Sequence, residues 1–184
     1  ELTQLQTILQ AQITALARRF MQSGSLIDAS LTLTSPSTVD GYGMWNAKLG
    51  KGYMYIEPTE IIAEEQNLGY FVYNTSEISL TVEAMTDTPT RVYVMWEEVQ
   101  VNPEGDEHLS QGGFARVATD SSLFDNAQGF SNYSAPGASR YQINILGMGS
   151  YFEGQGSLPV NSAEVFYILN GVPHYSDTQN VVSF

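Results

Sequence analysis

The two histidines are the first residues to consider for acid–base or nucleophilic chemistry, because the chain of 184 residues contains no cysteine. His108 follows an acidic, turn-rich stretch, and His174 follows a proline in a Gly-Val-Pro-His sequence that predicts a turn. A hydrolytic triad needs a nucleophile, a base and an orienting group brought together. No Gly-x-Ser-x-Gly motif is present to expose a nucleophilic serine. Both histidines are therefore predicted to lie in surface loops.

Paired carboxylates offer a second route to catalysis, of the kind that glycoside hydrolases use. Glu97 and Glu98 are adjacent at the end of a predicted strand, and Glu64 and Glu65 are adjacent near a predicted turn. Adjacent strand residues point to opposite faces of a sheet, so neither pair forms an acid–base dyad by itself. We predict that the protein is not an enzyme. A glycan hydrolase that joins carboxylates from distant strands is the alternative.

Oxygen-rich loops are candidates for binding a hard cation such as calcium. One loop carries Glu104, Asp106 and Glu107, and a second carries Asp120 and Asp125. Neither loop has the central glycine and terminal glutamate of the twelve-residue calcium loop, and acidic residues are common in turns for backbone reasons alone. The sequence thus predicts no cofactor and no metal ion. Structural calcium at Glu104, Asp106 and Glu107 is the alternative.

Two glycine pairs invite comparison with phosphate-binding loops. Gly147 and Gly149 lack the third glycine of the dinucleotide-binding motif, and Gly154 and Gly156 have neither a following helix nor a lysine. Both pairs are therefore predicted to mark turns in which the backbone needs a positive φ.

Aromatic residues are the most suggestive feature of the sequence, with 11 Tyr, 8 Phe and 2 Trp. Tyrosine and tryptophan combine apolar area with a polar tip, which suits both subunit interfaces and the faces of sugars. The alternative is a tyrosine-rich core and rim of a β-sandwich. The aromatic residues predicted to contact a ligand or a subunit are Tyr42, Trp45, Phe130, Tyr133 and Tyr151.

The charge balance excludes several classes of partner. Seven basic and 20 acidic residues give a net charge of −13. Such a chain repels nucleic-acid phosphates and anionic lipid surfaces. No apolar run approaches the roughly 20 residues that span a bilayer. We therefore predict no nucleic-acid binding and no membrane insertion, while the 42% of hydrophobic residues is enough for a core.

The first 24 residues predict a helix. Residues 1–22 contain neither glycine nor proline, and their apolar residues recur with the helical period of about 3.6. We predict a helix over 2–22, ended by Gly24, as a segment separate from a domain at 25–184. The apolar stripe of this helix consists of Leu2, Leu5, Ile8, Leu9, Ile13, Leu16 and Phe20.

An isolated helix of this length is marginal in water, so its stripe needs a partner. The stripe either packs on the chain's own domain or packs on the same helix of other copies. Strict heptads counted from Leu2 place Gln12 and Arg19 at core positions, which disfavours a long two-stranded coiled coil. A short, nearly straight three-helix bundle tolerates the 3.6-residue period and the broad stripe. Self-association is therefore predicted to give a homotrimer.

From Leu26 onward, apolar and polar residues alternate, which is typical of half-buried strands. Because no second helix is evident between the strands, we predict a mainly β fold, an antiparallel β-sandwich or jelly roll with a single N-terminal α-helix. Long loops at 102–113 and 120–139 are interpreted as contacts with other subunits or a host surface. The predicted strands lie near residues 31–33, 53–56, 68–74, 78–84, 92–96, 113–119, 140–146, 163–169 and 180–184.

The whole organisation combines a terminal amphipathic helix, a β-rich body, no cysteine, two lysines and many neutral polar residues. In this it resembles bacteriophage virion proteins such as capsid decoration proteins, head fibres and receptor-binding fibre modules. In those proteins a short N-terminal helix often anchors or trimerises a β-rich head. The resemblance rests on architecture and composition, so no residue role is carried over from it.

The resemblance implies a non-enzymatic structural protein in a virion or an extracellular location, whose partners are its own copies and other assembly proteins. Two alternatives remain open. One is a carbohydrate-binding or host-receptor-binding β-sandwich module whose partner is a surface glycan. The other is the subunit of a secreted bacterial surface filament.

Overall fold

The computed structural model of the protein describes residues 2–36, 43–59, 69–84, 87–101, 116–117, 133–134 and 140–176. It confirms the predicted fold class, since the fold is mainly β, with antiparallel sheets in a sandwich-like arrangement and a helix at the N-terminus. The described elements are α1 (Leu2–Ala17), β1 (Leu31–Thr34), β2 (Gly43–Leu49), β3 (Gly52–Ile56), β4 (Tyr70–Asn74), β5 (Ile78–Ala84), β6 (Thr90–Val101), β7 (Arg116–Val117), β8 (Tyr133–Ser134), β9 (Arg140–Phe152), β10 (Ser162–Leu169) and β11 (Val172–Tyr175).

The helix α1 ends earlier than the sequence predicts. Near its end the nitrogen of Arg18 bonds four residues back, to the oxygen of Thr14 at 3.0 Å, and beyond the helix the nitrogen of Met21 bonds to the oxygen of Ala17 at 2.8 Å. The nitrogens of Arg19 and Phe20 then bond three residues back, to Leu16 and Ala17, which tightens the final turn. The predicted end at residue 22 is therefore wrong by five residues, although Gly24 does adopt a positive φ of 96° beyond the helix.

The first sheet has the strand order β1-β2-β5. Trp45 of β2 lies opposite Val82 of β5, and both point into the core, whereas the polar residues between them face outward. This is the period-two alternation of a sheet with one buried face. The sequence predicted β1 and β5, but it predicted no strand over 43–49, where β2 forms the centre of this sheet.

The strands β3 and β4 form a second sheet, and the segment that follows α1 lies along it. β3 pairs with β4, and on the other side of β3 the backbone of 24–27 forms three further bonds. These run from the nitrogen of Gly24 to the oxygen of Tyr55, from the nitrogen of Tyr55 to the oxygen of Ser25, and from the nitrogen of Ile27 to the oxygen of Tyr53. The segment that leaves α1 is thus held along β3 by these bonds and by one antiparallel bridge between Leu26 and Met54.

The third sheet has the order β11-β10-β6-β9. Alternate residues of β6 from Thr90 to Glu98 are buried, and the facing residues of β10 are buried with them. A bulge between Glu164 and Phe166 shifts the register of β10, so Val165 and Phe166 are both buried. The opposite face of this sheet, carrying Arg91 and Tyr93, is half exposed.

Two turn predictions in this region are wrong. β9 continues to Phe152, so Gly147 and Gly149 lie within a strand, and Gly154 alone of the four glycines has a positive φ. His174 lies in β11 and not in a loop, because Asn170 and Gly171, with φ of 50° and 68°, form a two-residue turn that folds β11 back onto β10. Positive φ at both central residues is the mark of a type I′ hairpin turn.

The chain divides into two compact units, one containing 1–97 and 144–184 and the other containing 98–143. In the second unit, β7 and β8 form a short antiparallel ladder, with Arg116 opposite Ser134 and Val117 opposite Tyr133. β8 therefore falls within the stretch predicted as a loop at 120–139. The predicted loop at 102–113 and the predicted strand at 180–184 lie outside the described residues.

Candidate functional site

The helix α1 is fastened to the β-strands through a narrow edge formed by Thr14 and Ala17. Both residues are buried, and they lie one turn apart on the same side of the helix. The N–H of Gly69 donates to Oγ1 of Thr14 at 3.1 Å, and Oγ1 of Thr14 donates to the carbonyl oxygen of Gly69 at 3.4 Å. A polar contact of two hydrogen bonds thus holds the helix where an apolar contact was expected.

A second attachment lies where the helix ends, around Glu57. Oε1 of Glu57 accepts hydrogen bonds from Nε of Arg18 at 3.2 Å and from the hydroxyl of Tyr55 at 3.1 Å. Burial, and secondly the nearby carboxylate of Glu57, raise the pKa of Tyr55 to about 12, while Arg18 opposes the shift. A methyl group at Gly69 would overlap the hydroxyl of Tyr55, so the absence of a side chain there makes room for the ring.

The apolar side of α1 faces solvent. We define the helix stripe as the exposed side chains Ile8, Leu9, Ile13, Leu16 and Phe20, which are 49–61% exposed. The side chains of Leu2 and Leu5, also predicted for the stripe, lie outside the described set. The helix does pack on its own domain, but with Thr14 and Ala17. The interpretation that the stripe itself covers that domain is therefore wrong.

A second surface lies on the half-exposed face of the β11-β10-β6-β9 sheet, centred on Arg91. Nη1 of Arg91 donates to Glu164 at 2.7 Å, and Nη2 donates to Glu153 at 2.9 Å. The guanidinium also lies 5.4 Å from the ring centre of Tyr167, which stacks on His174 with ring centres 4.9 Å apart. Hydrogen bonding to Glu164 is the main reason that the pKa of Arg91 is raised above its ordinary value.

Two tyrosines extend this surface, which we call the sheet face, toward β9. The rings of Tyr93 and Tyr151 lie 6.0 Å apart, and burial raises the pKa of Tyr151. A methyl group at Gly149 would lie about 2.5 Å from the hydroxyl of Tyr93, so this glycine lets the ring lie close to the backbone of β9. The sheet face comprises Arg91, Tyr93, Tyr151, Glu153, Glu164, Tyr167 and His174.

The predicted aromatic residues do not come together. Trp45 is only 5% exposed and lies in the core opposite Val82, so the expectation that it is an exposed contact residue is wrong. Tyr151 is part of the sheet face. Tyr133 is described only as backbone in β8, and Tyr42 and Phe130 lie outside the described residues.

The predicted titratable candidates are equally dispersed. Glu97 is exposed and accepts a hydrogen bond from Nδ2 of Asn144 at 3.0 Å, whereas Glu98 is buried, so the pair points to opposite faces as predicted. The other candidates, Glu64, Glu65, Glu104, Asp106, Glu107 and His108, lie outside the described residues.

The described part of the chain contains no group of three His, Asp or Glu side chains placed to hold a metal ion. The helix that it contains is too short and too polar to cross a membrane.

Comparison with models of protein families, with curated proteins and with solved structures found no match to this chain.

Proposed function

We propose that this protein is a non-enzymatic structural subunit of a virion or extracellular assembly, and that it self-associates through α1. One observation carries the proposal. The helix is anchored by two small buried residues, Thr14 through its hydroxyl and Ala17 through its methyl group, while the larger apolar side chains of the helix stripe remain exposed. A helix that served only to cover the β-strands would place its apolar side against them.

The energetics of the helix stripe support a protein partner. Fully burying a leucine, isoleucine or phenylalanine side chain stabilises by about 1.5–3 kcal/mol. The five stripe residues are about half exposed, so covering each one contributes roughly 1 kcal/mol. A contiguous set of such residues on one helix is the kind of surface that marks an interaction site.

The distribution of charge favours copies of the same chain as the partner. Of the 20 acidic residues, only Glu1 precedes residue 25. The same segment carries two basic residues, Arg18 and Arg19, so it lacks the strong negative charge of the rest of the chain. Two chains of net charge −13 repel each other least where acidic side chains are missing. A strongly basic partner would instead be drawn to the acidic remainder of the chain.

A pair of matched substitutions on α1 tests this proposal. Leu16→Asp places a charge in the stripe, and we expect it to reduce the mass in solution to that of one chain, because a carboxylate is costly to bury. Ala11→Asp introduces the same charge at an exposed position on another side of the helix, and we expect it to leave the mass unchanged. Light scattering after size exclusion measures both, with circular dichroism to check that each variant is folded.

Equal masses for Leu16→Asp and the unaltered protein would contradict the role of the stripe. A loss of mass in both variants would show that any charge on the helix disrupts association, and it would also contradict the proposal.

A second candidate function is favoured by the sheet face. Its rings and carboxylates offer the two groups that hold neutral sugars, aromatic surface and hydrogen-bond acceptors. His174 is exposed, Tyr151 is half exposed, and the carboxylate of Glu153, which pairs with Arg91, is exposed as well. The sheet face, and not the buried Trp45, is therefore the surface on which a carbohydrate-binding function would rest.

An array of neutral glycans tests this second candidate. Tyr151→Ala and His174→Ala should each reduce any glycan signal, while Phe71→Ala, which removes an exposed ring elsewhere, should not. A blank array at high protein concentration, or equal losses in all three variants, would rule out the sheet face as the glycan site.

A further inference from the structure

The outward side of α1 has a shallow depression lined by Gln12, Ala15, Leu16 and Arg19. Gln12, Ala15 and Leu16 are spaced i, i+3 and i+4 on α1, and Arg19 follows in the turn that closes the helix, so the four residues form a diamond. In coiled coils a diamond of four residues is the hole that receives a side chain of the facing helix. Ala15 contributes only a methyl group at its corner of the diamond, so a side chain of a facing helix can enter from that side.

The anchored edge of the helix agrees with this interpretation. In heptads counted from Leu2 as position a, Thr14 and Ala17 fall at positions f and b, which point away from the partner in a helical bundle. These are the two residues that the chain's own body buries. Positions a, e and g, occupied by Leu16, Ile13 and Ile8, are exposed. The chain's own body thus binds the helix at positions b and f, and the side that would form a bundle core, at positions a, e and g, is left exposed to solvent.

We propose that α1 packs parallel to and in register with α1 of two further copies of this chain, with Leu16 of each copy inserted into the depression of its neighbour. The inference rests on the proposed function and specifies how the copies meet. Apolar residues at e and g, in addition to a, make the face wider than the seam of a two-stranded coiled coil. That width suits three helices.

The residue types at the a and d positions of α1 favour parallel helices over antiparallel ones. In a parallel, in-register bundle each layer contains the same residue from every copy, so Leu9 meets Leu9, Leu16 meets Leu16, and Gln12 meets Gln12. The amide of Gln12 both donates and accepts hydrogen bonds, so identical amides satisfy one another. An antiparallel arrangement places a positions against d positions and would set Gln12 or Arg19 opposite a leucine, leaving polar groups without partners.

Arg19 is the one charged residue of the depression, and it lies beyond Ala17, where the helix has ended. Its long side chain can therefore cover the last apolar layer with its methylene groups while the guanidinium stays in water. Arg19 thus closes the bundle at its end and does not need to be buried in it.

Disulfide cross-linking tests this arrangement, because the chain has no cysteine to interfere. Leu9→Cys and Leu16→Cys, each in the full chain, are oxidised and analysed without reductant. We expect both to form disulfide-linked pairs rapidly, since facing core positions meet the short Cα separation that a disulfide requires. One chain of each three should stay unlinked, because a trimer has an odd number of thiols. Ala11→Cys, exposed on another side of the helix, is the control and should link slowly.

Two results would overturn the inference. One is linking of Leu9→Cys and Leu16→Cys no faster than that of Ala11→Cys. The other is a mixture of Leu5→Cys and Leu16→Cys chains that links faster than either variant alone, which indicates antiparallel helices. If the mass in solution is still a multiple of one chain, such a result contradicts this geometry alone. A mass of one chain would contradict the proposed function as well.

Discussion

The hydroxyl of Thr14 on α1 bonds to both backbone polar groups of Gly69, accepting from its N–H at 3.1 Å and donating to its carbonyl oxygen at 3.4 Å. The two residues are 55 positions apart in the sequence, so this contact joins the helix to the strands. Because the helix is attached at this polar edge, its apolar residues are left for another surface. The attachment and the exposed stripe are two consequences of one orientation of the helix.

Thr14→Val tests the attachment, because valine keeps the shape of threonine but has no hydroxyl. We expect the free energy of unfolding to fall by about 1–3 kcal/mol, since the N–H of Gly69 is left buried without its acceptor. Urea denaturation at a fixed protein concentration measures the change. Thr14→Ser keeps the hydroxyl, so its free energy of unfolding should fall by less. An equal fall in both variants would show that the hydrogen bonds to Gly69 do not hold the helix.

Gly69→Ala tests the space above Tyr55. The added methyl group would overlap the hydroxyl of Tyr55, so we expect a loss of about 1–3 kcal/mol in the free energy of unfolding. Gly147→Ala is the matched control, because nothing lies within 4 Å of a methyl group there. The control should be neutral or stabilising by up to about 1 kcal/mol. Equal effects of the two substitutions would contradict the close approach.

The raised pKa of Tyr55 predicts a loss of stability at high pH. At pH values below its ordinary pKa of 10.0, Tyr55 is protonated in the folded and unfolded chains alike, and its contribution to stability is complete. Between pH 10.0 and about 12, the unfolded chain loses this proton first, so the folded chain binds more protons and stability falls as pH rises. Because other tyrosines also titrate, the quantity to measure is the difference in urea midpoint between the protein and Tyr55→Phe. That difference should change across this window; a constant difference would contradict the prediction.

We expect Arg91 to contribute more to the free energy of unfolding than an exposed ion pair does. The side chain of Arg91 is 28% exposed and its guanidinium joins Glu164 and Glu153, whereas Lys48 and Glu77 form a single pair whose side chains are more than half exposed. We expect Arg91→Ala to lower the free energy of unfolding by about 1–2 kcal/mol, and Lys48→Ala to change it by less than about 0.5 kcal/mol. Thermal or urea denaturation measures both. Similar effects of the two substitutions would contradict the structural role of Arg91.

The sequence predicted the elements whose pattern is local. The helical period of α1 and the alternation of β5 were enough to predict both elements. The end of α1 could not be predicted from the period, because the apolar spacing continues to Phe20, whereas the helical bonding gives way to a turn after Ala17. The strand β11 was missed although its signal was present, since Asn170-Gly171 is a strong hairpin turn. The following proline lies at an edge strand, where its missing N–H is tolerated.

The orientation of side chains depended on contacts between distant parts of the chain. Trp45 belongs to β2, whose alternation places it inward, and recognising that strand would have placed it in the core. The sheet face joins residues of β6, β9, β10 and β11, so no sequence window contains it. The direction of the helix stripe depended on Gly69, because its backbone bonds to Thr14 and its missing side chain leaves room for Tyr55. No periodicity in α1 carries that information.

The mass of the intact chain in solution tests the central claim most directly. Sedimentation equilibrium over a range of protein concentrations should give a multiple of the 20.2 kDa mass of one chain, with three chains expected. Dilution should lower that mass, because the association depends on covering the stripe of one copy with that of another. A folded species of 20.2 kDa at every concentration would contradict self-association through α1.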